Sequence, residues 1–340
     1  MCAARIDVGN ALVEFAPIHD RDCRVWLRYE LDAVGAMMLS LDVVVRTLAD
    51  AQRSELLFRA LDSIQNQPGI AARPIVVVNG QKFDPATLEA LKARPGILLH
   101  QEQQASMRVA RAAGRKLVTA PFFSYLDDDD ELIPGSLLEP MQWLDSHSDC
   151  DVLISNGYFV GVDGSLSELI HIADHVSSKQ PALSLLEDCW LQQGAFIFRT
   201  SSIPLAMMDA DWTNMEWTHL AFELCAERKS LHFMDLPTMR YHDTPGSMSK
   251  LIRHHEAEQN LLGQIRRDDR FDPYVRREVG RKYLRTLHNL AMIYWQHGHR
   301  LRAWRCHLGS LRPPYTFKYL LFSRKLLWPF ARHKRGMVAT

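Results

Sequence analysis

No stretch of the 340-residue sequence supplies about 18 uninterrupted apolar residues, so no membrane-spanning helix is expected. The start, MCAARIDVGN, lacks a basic segment followed by an apolar one, and no secretory signal peptide is expected. The six cysteines (Cys2, Cys23, Cys150, Cys189, Cys225, Cys306) show no C-x-x-C spacing. That speaks for reduced, mostly structural thiols in a cytoplasmic protein. No internal repeat of fixed period is present; 283–297 and 301–311, separated by Gly298, read as one helical hairpin. Beyond Glu278 there is neither Asp nor Glu.

The last absence exposes a division that the net charge of zero conceals. Residues 251–340 carry 19 Lys+Arg against 6 Asp+Glu, whereas 1–250 carry 21 against 34. An acidic body with a basic tail points to an anionic partner for the tail, a membrane surface or nucleic acid. No nucleic-acid-binding motif accompanies the charge, so nucleic acid is the poorer fit. In 315–330 (YTFKYLLFSRKLLWPF) aromatic and aliphatic residues mix with Lys318, Arg324 and Lys325, as in an interfacial helix on an anionic bilayer. The alternative is a helical region that packs its aromatics inward and leaves a solvated basic face.

The 47% hydrophobic content supports a sizeable core. Residues 1–40 contain alternating apolar positions at 23–29, compatible with an edge strand or hairpin, and no functional motif. From 41 onward β-branched runs alternate with helical periodicity. Strands are predicted at 41–48 (LDVVVRTL), 74–78, 97–100 and 121–126, with helices at 54–67 (Ser54 as N-cap), 88–93 and 106–118 between them. Such β-α-β alternation implies right-handed crossovers and a parallel, doubly wound sheet. Further on, a helix is predicted at 136–144, strands at 151–155 and 158–162 joined by an Asn156-Gly157 turn, a strand at 195–199 and a helix at 215–227. Beyond Arg253 the pattern is helical almost throughout.

The fourth strand runs straight into Asp127-Asp128-Asp129-Asp130-Glu131. Five consecutive carboxylates repel one another unless a cation stands among them. Mg²⁺ and Mn²⁺ take oxygen ligands, and Mg²⁺ is commonly held by one or two carboxylates together with substrate phosphates. The other reading is a solvated acidic loop capping the helix that begins near Pro134. Ligands of open α/β sheets bind outside the carboxyl ends of the strands, which is where this run falls.

The run GRKLVTAPFFSYLDDDDELIPGSL resembles the family 2 glycosyltransferases of the GT-A fold: helix, small-residue turn, apolar strand, then Asp-x-Asp-Asp. LDVVVRTL with the following helix, PIVVVNG, Arg111-Ala112-Ala113-Gly114 and MRYHDTPGSMS are similar to further segments of that family, in the same order, across 41–250. The resemblance implies an α/β fold of GT-A type, a Rossmann-like mostly parallel sheet flanked by helices, with a C-terminal helical extension. It divides the chain into an extension (1–40), a catalytic domain (41–250) and a basic helical region (251–340). It implies a metal-dependent, inverting hexosyltransferase using a UDP-sugar or other nucleotide-diphospho-sugar, in polysaccharide or glycoconjugate assembly. The acceptor would be a glycan or a lipid-linked molecule, and the enzyme cytoplasmic or peripheral on the inner face of the membrane.

Residue by residue, the resemblance places Arg46, Thr47, Asn79, Arg111, Asp127 and Asp128 at the nucleotide. Asp129 and Asp127 would hold Mg²⁺ or Mn²⁺, with His242 as a third ligand or a diphosphate contact and Asp243 as its alternative. The general base would be Glu216, with Asp211 behind it. The family's acidic pair is here Glu216-Trp217, and the acids usual after the second strand are here Asn79-Gly80. These departures keep a second expectation open, a nucleotide-sugar-binding scaffold without catalysis. A nucleotidyltransferase on the same sheet would need a Gly-rich loop after the first strand, which is missing.

Overall fold

The computed structural model describes residues 5–8, 11–14, 38–171, 180–211, 215–243, 252–313 and 316–327. The chain divides into two compact units, Met1–Leu39 and Ser40–Thr340. In the first, β1 (Arg5–Val8) pairs antiparallel with β2 (Ala11–Glu14). The strand or hairpin expected at 23–29 lies outside the described residues.

The second unit opens with β3 (Ser40–Thr47), α1 (Ser54–Gln65), β4 (Ala71–Asn79), α2 (Pro85–Ala93), β5 (Leu98–Glu102), α3 (Met107–Leu117) and β6 (Phe122–Asp127). β3 is buried from Leu41 through Thr47, and its Val43-Val44-Val45 run has no solvent-exposed surface. Each such side chain contributes about 1.5–3 kcal/mol on burial, and a strand covered on both faces needs apolar residues at every position rather than at alternate ones. Parallel pairing of β3 with β4 and with β6 sets Thr47 opposite Val78 and Arg46 opposite Asp127. Gly114 lets α3 lie directly on this strand, since a Cβ there would stand 2.3 Å from a Val44 methyl.

After β6 come β7 (Glu131–Leu132), α4 (Leu138–Ser146), β8 (Val152–Val160), β9 (Leu166–Glu168), α5 (Pro181–Ser184), β10 (Phe196–Arg199), α6 (Leu205–Met208), α7 (Glu216–Ala226) and β11 (Leu231–His242). Among the described residues they complete a nine-stranded sheet in the order β5-β4-β3-β6-β10-β8-β11-β7, with β9 on β8. The expected parallel alternation holds for β5-β4-β3-β6; β11 also runs parallel to β8, and β10 enters antiparallel between β6 and β8.

Two local expectations are corrected. Asn156-Gly157 is no turn: β8 runs through it, because the Asn156 side chain is spent on Glu168, Asp235 and the backbone N–H groups of Gly157 and Ile170. Ser54 does not cap α1. The chain enters that helix through a 3-10 turn, Ala51–Arg53, whose N-cap is Asp50. The strand β11 was not expected at all, since Pro237 interrupts it; register shifts between Phe233, Pro237 and Met239 absorb the interruption.

The remaining helices are α8 (Ile252–Ile265), α9 (Pro273–Gln296), α10 (Arg300–Ser310) and α11 (Thr316–Leu327). Pro273 stands at the start of α9 behind the capping carboxylate of Asp272. α9, α10 and α11 share a core of Leu290, Ala291, Tyr294, Ala303, Phe322 and Leu326, and Tyr319 stacks on His288 at 4.0 Å. Thus α11 packs one face inward, as the second reading of the basic tail expected, yet leaves Phe317 86% exposed and Leu320, Leu321 and Leu327 exposed with it. Among the described residues no helix is long and apolar enough to cross a membrane. The described cysteines Cys150, Cys189, Cys225 and Cys306 are free thiols.

Candidate active site

The carboxyl ends of β3 and β6 deliver Arg46 and Asp127 side by side, and a buried charge cluster forms around them. Arg46 donates to Glu216 Oε1 at 2.7 Å and to Gln193 Oε1 at 2.9 Å, and it lies 3.7 Å from Asp127. Gln193 in turn donates to Asp127 Oδ2. Gly194 aims that loop: it takes φ 82°, its N–H bonds Tyr125 O at 2.7 Å, and a Cβ would meet Leu126 at 2.9 Å.

The second oxygen of Glu216 accepts from Arg111 at 2.8 Å. Arg111 also donates to Met208 O at 2.8 Å and Ala210 O at 2.5 Å, so this α3 residue fastens the segment leading toward Glu216. Glu216 opens α7, and both its oxygens are held by guanidiniums. Burial opposes the charge on Arg46, but Glu216 and Asp127 outweigh it and hold the guanidinium more firmly protonated than a free arginine. Burial instead lowers Arg111, with Glu216 opposing.

Trp217 fills the place of the missing second acid. Its ring lies 5.1 Å from Tyr125 and 5.2 Å from Phe196, with the Arg46 guanidinium 5.6 Å from its centroid. Asp211 is exposed at the end of its described segment.

The acidic run divides by environment. Withdrawal from water pushes the Asp127 carboxyl up to about 6, and Asp129, Asp128 and Glu216 add to this against Arg46, although 35% of the side-chain surface stays open. Asp128, raised chiefly by burial, accepts from the Thr47 hydroxyl and pairs with Arg53 at 2.6 Å. Arg53 also reaches Asp129 at 2.8 Å, and Arg59 donates to the Asp129 carbonyl at 2.5 Å. Asp130 is buried, accepts the His242 N–H at 2.9 Å, and is raised well above its ordinary value by burial and then by Asp127.

His242 faces Glu131, with Nε2 at 3.3 Å, because β11 pairs with β7 so that Arg240 stands opposite Glu131. Among the described residues no three His, Cys, Asp or Glu side chains converge as an all-protein metal cage, so the expected Asp127, Asp129 and His242 are not brought together as one. What does fit a hard cation is narrower: neighbouring aspartates whose mutual repulsion helps raise Asp127, in the number Mg²⁺ takes together with phosphates. Asp243 is described but the loop 244–250, which the family resemblance also covers, lies outside the described residues.

Asn79 is buried at the end of β4. Its Oδ1 accepts the Ser106 N–H at 2.8 Å and its Nδ2 lies 3.5 Å from Met107 Sδ, which ties the strand to the start of α3. Arg53 and Gln193 were not singled out in the sequence. Arg53 carried one signal, a cation in the loop beyond a buried strand's carboxyl end; Gln193 carried none, since only the antiparallel entry of β10 brings it here.

The sequence matches no family profile and no curated protein sequence. Solved structures of Staphylococcus aureus TarS share its fold. TarS 1–349 in complex with UDP-GlcNAc aligns at TM-score 0.55 and 14% identity, over 84% of this chain and 92% of that one. TarS 1–349 alone aligns at 0.53 and 13% over the same shares. A longer TarS structure aligns at 0.50 and 14%, over 83% of this chain and 53% of that one. The chain therefore has the α/β fold of GT-A type, a mostly parallel sheet flanked by helices, as its sequence led us to expect.

Proposed function

We propose that this protein is a glycosyltransferase that moves a sugar from a nucleotide-diphospho-sugar, of the uridine type, to an acceptor hydroxyl. One observation carries the reading: the register of β3 on β6 sets Arg46 beside Asp127 at the strands' carboxyl ends, and the acidic loop, Gln193, Glu216 and Arg111 meet there. The UDP-GlcNAc in one of the TarS structures of like fold supports the donor class.

In this reading Arg46 and Arg111 supply guanidiniums to the departing diphosphate, in a site withdrawn from water where such contacts gain strength. Asp127 holds the ribose side, with Thr47, Asn79 and Asp128 around the nucleotide and His242 toward the diphosphate. Asp127 and Asp129 would hold Mg²⁺ or Mn²⁺, which when bound neutralises charge on the leaving group. Glu216 takes the proton of the attacking hydroxyl, with Asp211 as its alternative. Each Glu216 oxygen accepts one guanidinium bond and keeps a second lone pair on which it can take that proton, and a turn of Arg46 or Arg111 to the diphosphate would free a further one. The acceptor oxygen then bonds to the anomeric carbon, the bond to the diphosphate breaks, and the configuration inverts. The exposed face of α11 suits an anionic bilayer carrying a lipid-linked acceptor.

Calorimetric titration with UDP, UDP-GlcNAc and GDP-mannose, with and without Mn²⁺, tests this. Uridine ligands should bind, more tightly with Mn²⁺, and Asp129→Ala should abolish that gain; failure of every nucleotide to bind overturns the reading. Trp217, packed where a second acid would stand, favours one other reading, a binding scaffold. Tight donor binding without turnover of the donor would select it.

A further inference from the structure

A cavity of about 450 Å³ opens between the end of α8, the first half of α9 and the turn after α10. Arg266, Arg277, Arg281 and Arg312 line it. Arg281 gives two bonds to Glu278, at 2.7 and 2.9 Å, and Arg277 lies 3.6 Å from the same carboxylate. Among the described residues no carboxylate pairs with Arg266 or Arg312. The Arg266 guanidinium rests 4.5 Å from the centre of the Tyr283 ring, and its Nε is buried without a partner. The aromatic face holds the cation in place and leaves the guanidinium edge to donate. Gly280 stands on the α9 wall, where a Cβ would meet nothing within 4 Å, so the space goes unfilled.

Like charges gathered in one concavity repel, and one glutamate does not balance four guanidiniums. The planar guanidinium fork matches a phosphate, giving two parallel charge-assisted hydrogen bonds. The volume falls within the roughly 300–1,000 Å³ of small-molecule sites and exceeds what a lone phosphate needs.

We propose that this cavity binds an organic phosphate ester, with Arg266 and Arg312 as its free donors and Arg277 and Arg281 shared with Glu278. The phosphate comes from a lipid headgroup or from a soluble ester. The headgroup source has a geometric argument: Arg312 and Pro313 on the cavity wall stand just before α11, whose exposed face carries Phe317, Leu320 and Leu321. The site rests on the cavity alone and stands or falls separately from the donor site.

The test uses the full chain. Binding of sn-glycerol 1-phosphate is measured by calorimetry, and capture by flotation on vesicles of phosphatidylglycerol in phosphatidylcholine, against phosphatidylcholine alone. Arg266→Met and Gly280→Leu should each weaken binding of the glycerol phosphate, the vesicles or both by roughly tenfold or more, the scale of one charged hydrogen bond, while UDP affinity stays as in the wild type. If Arg266→Met loses stability along with its ring contact, Gly280→Leu still decides: it removes no charge, fills the cavity, and replaces a glycine within a helix. Vesicle capture lost in Gly280→Leu assigns the headgroup, and glycerol phosphate binding lost without vesicle capture assigns a soluble ester. The proposal is overturned if the wild type binds neither probe, or if Gly280→Leu binds both as the wild type does.

Discussion

β3 carries a buried charge near each end, and the two ends are built differently. At the amino end Asp42, 1% exposed, takes both guanidinium bonds of Arg73 at 2.9 Å and the N–H groups of Thr119 and Ala120 at 2.8 and 2.9 Å. Three of the four donors converge on Oδ2 and one on Oδ1, and the group ties β3 to β4 and to the turn before β6. At the carboxyl end Arg46, 5% exposed, has a buried Nε with no partner, and its neighbour Asp127 remains partly open. Both ends meet the demand that a buried charge be paired. Only the second keeps a buried donor without a partner, the difference expected between the proposed donor site and a structural clasp.

The contrast can be broken most sharply at Asp42. Asp42→Ala leaves two backbone N–H groups without their acceptor and Arg73 with Thr119 and solvent, so urea denaturation should show a loss of about 2–4 kcal/mol. UDP affinity per folded molecule should not change; if it falls, the two ends are not independent. Arg46→Met should do the reverse: donor affinity falls roughly 10–100-fold in calorimetry, the scale of hydrogen bonds to a charged group, while Glu216 keeps its bond from Arg111. A smaller effect sharpens the picture of α7, the helix that Glu216 opens. His219 on that helix is pushed down to about 4, chiefly by burial, from an ordinary 6.5. The unfolded chain therefore binds the proton first, and stability present above about pH 6.5 is lost as pH falls toward 4. His219→Asn should flatten that slope, with a difference on the order of 1–2 kcal/mol near pH 5 in urea titrations and none near pH 8.

The strands β3, β4 and β6 were legible because burial on both faces demands unbroken runs of Val, Ile and Phe, a local property of sequence. β11 was not, since Asp235 and Pro237 spoil the run and only pairing with β8 carries the chain through. Asn156-Gly157 reads as a hairpin, yet the Asn156 amide is satisfied by residues up to 79 positions away, which no local reading supplies. At the candidate site, Arg46, Thr47, Asp127 and Asp128 were named from the family resemblance, and the parallel register of β3 on β6 sets Arg46 opposite Asp127. Arg111 and Glu216 were named singly, but their shared contact spans 105 residues. Gln193 depends on the direction in which one strand enters the sheet, and composition does not encode that.

Arg53 gives the acidic loop a property of a different kind. It sits 45% exposed on the short turn Ala51–Arg53 and neutralises Asp128 and Asp129 from outside. The divalent cation proposed for these carboxylates would therefore have to undergo ion exchange, releasing a tethered guanidinium at effectively fixed local concentration. Its apparent affinity would be scaled by the fraction of molecules in which that arm has already swung away. Shortening or neutralising the arm would change this exchange constant without touching a single proposed oxygen ligand, so the loop's selectivity would be set partly by a side chain that need never contact the ion.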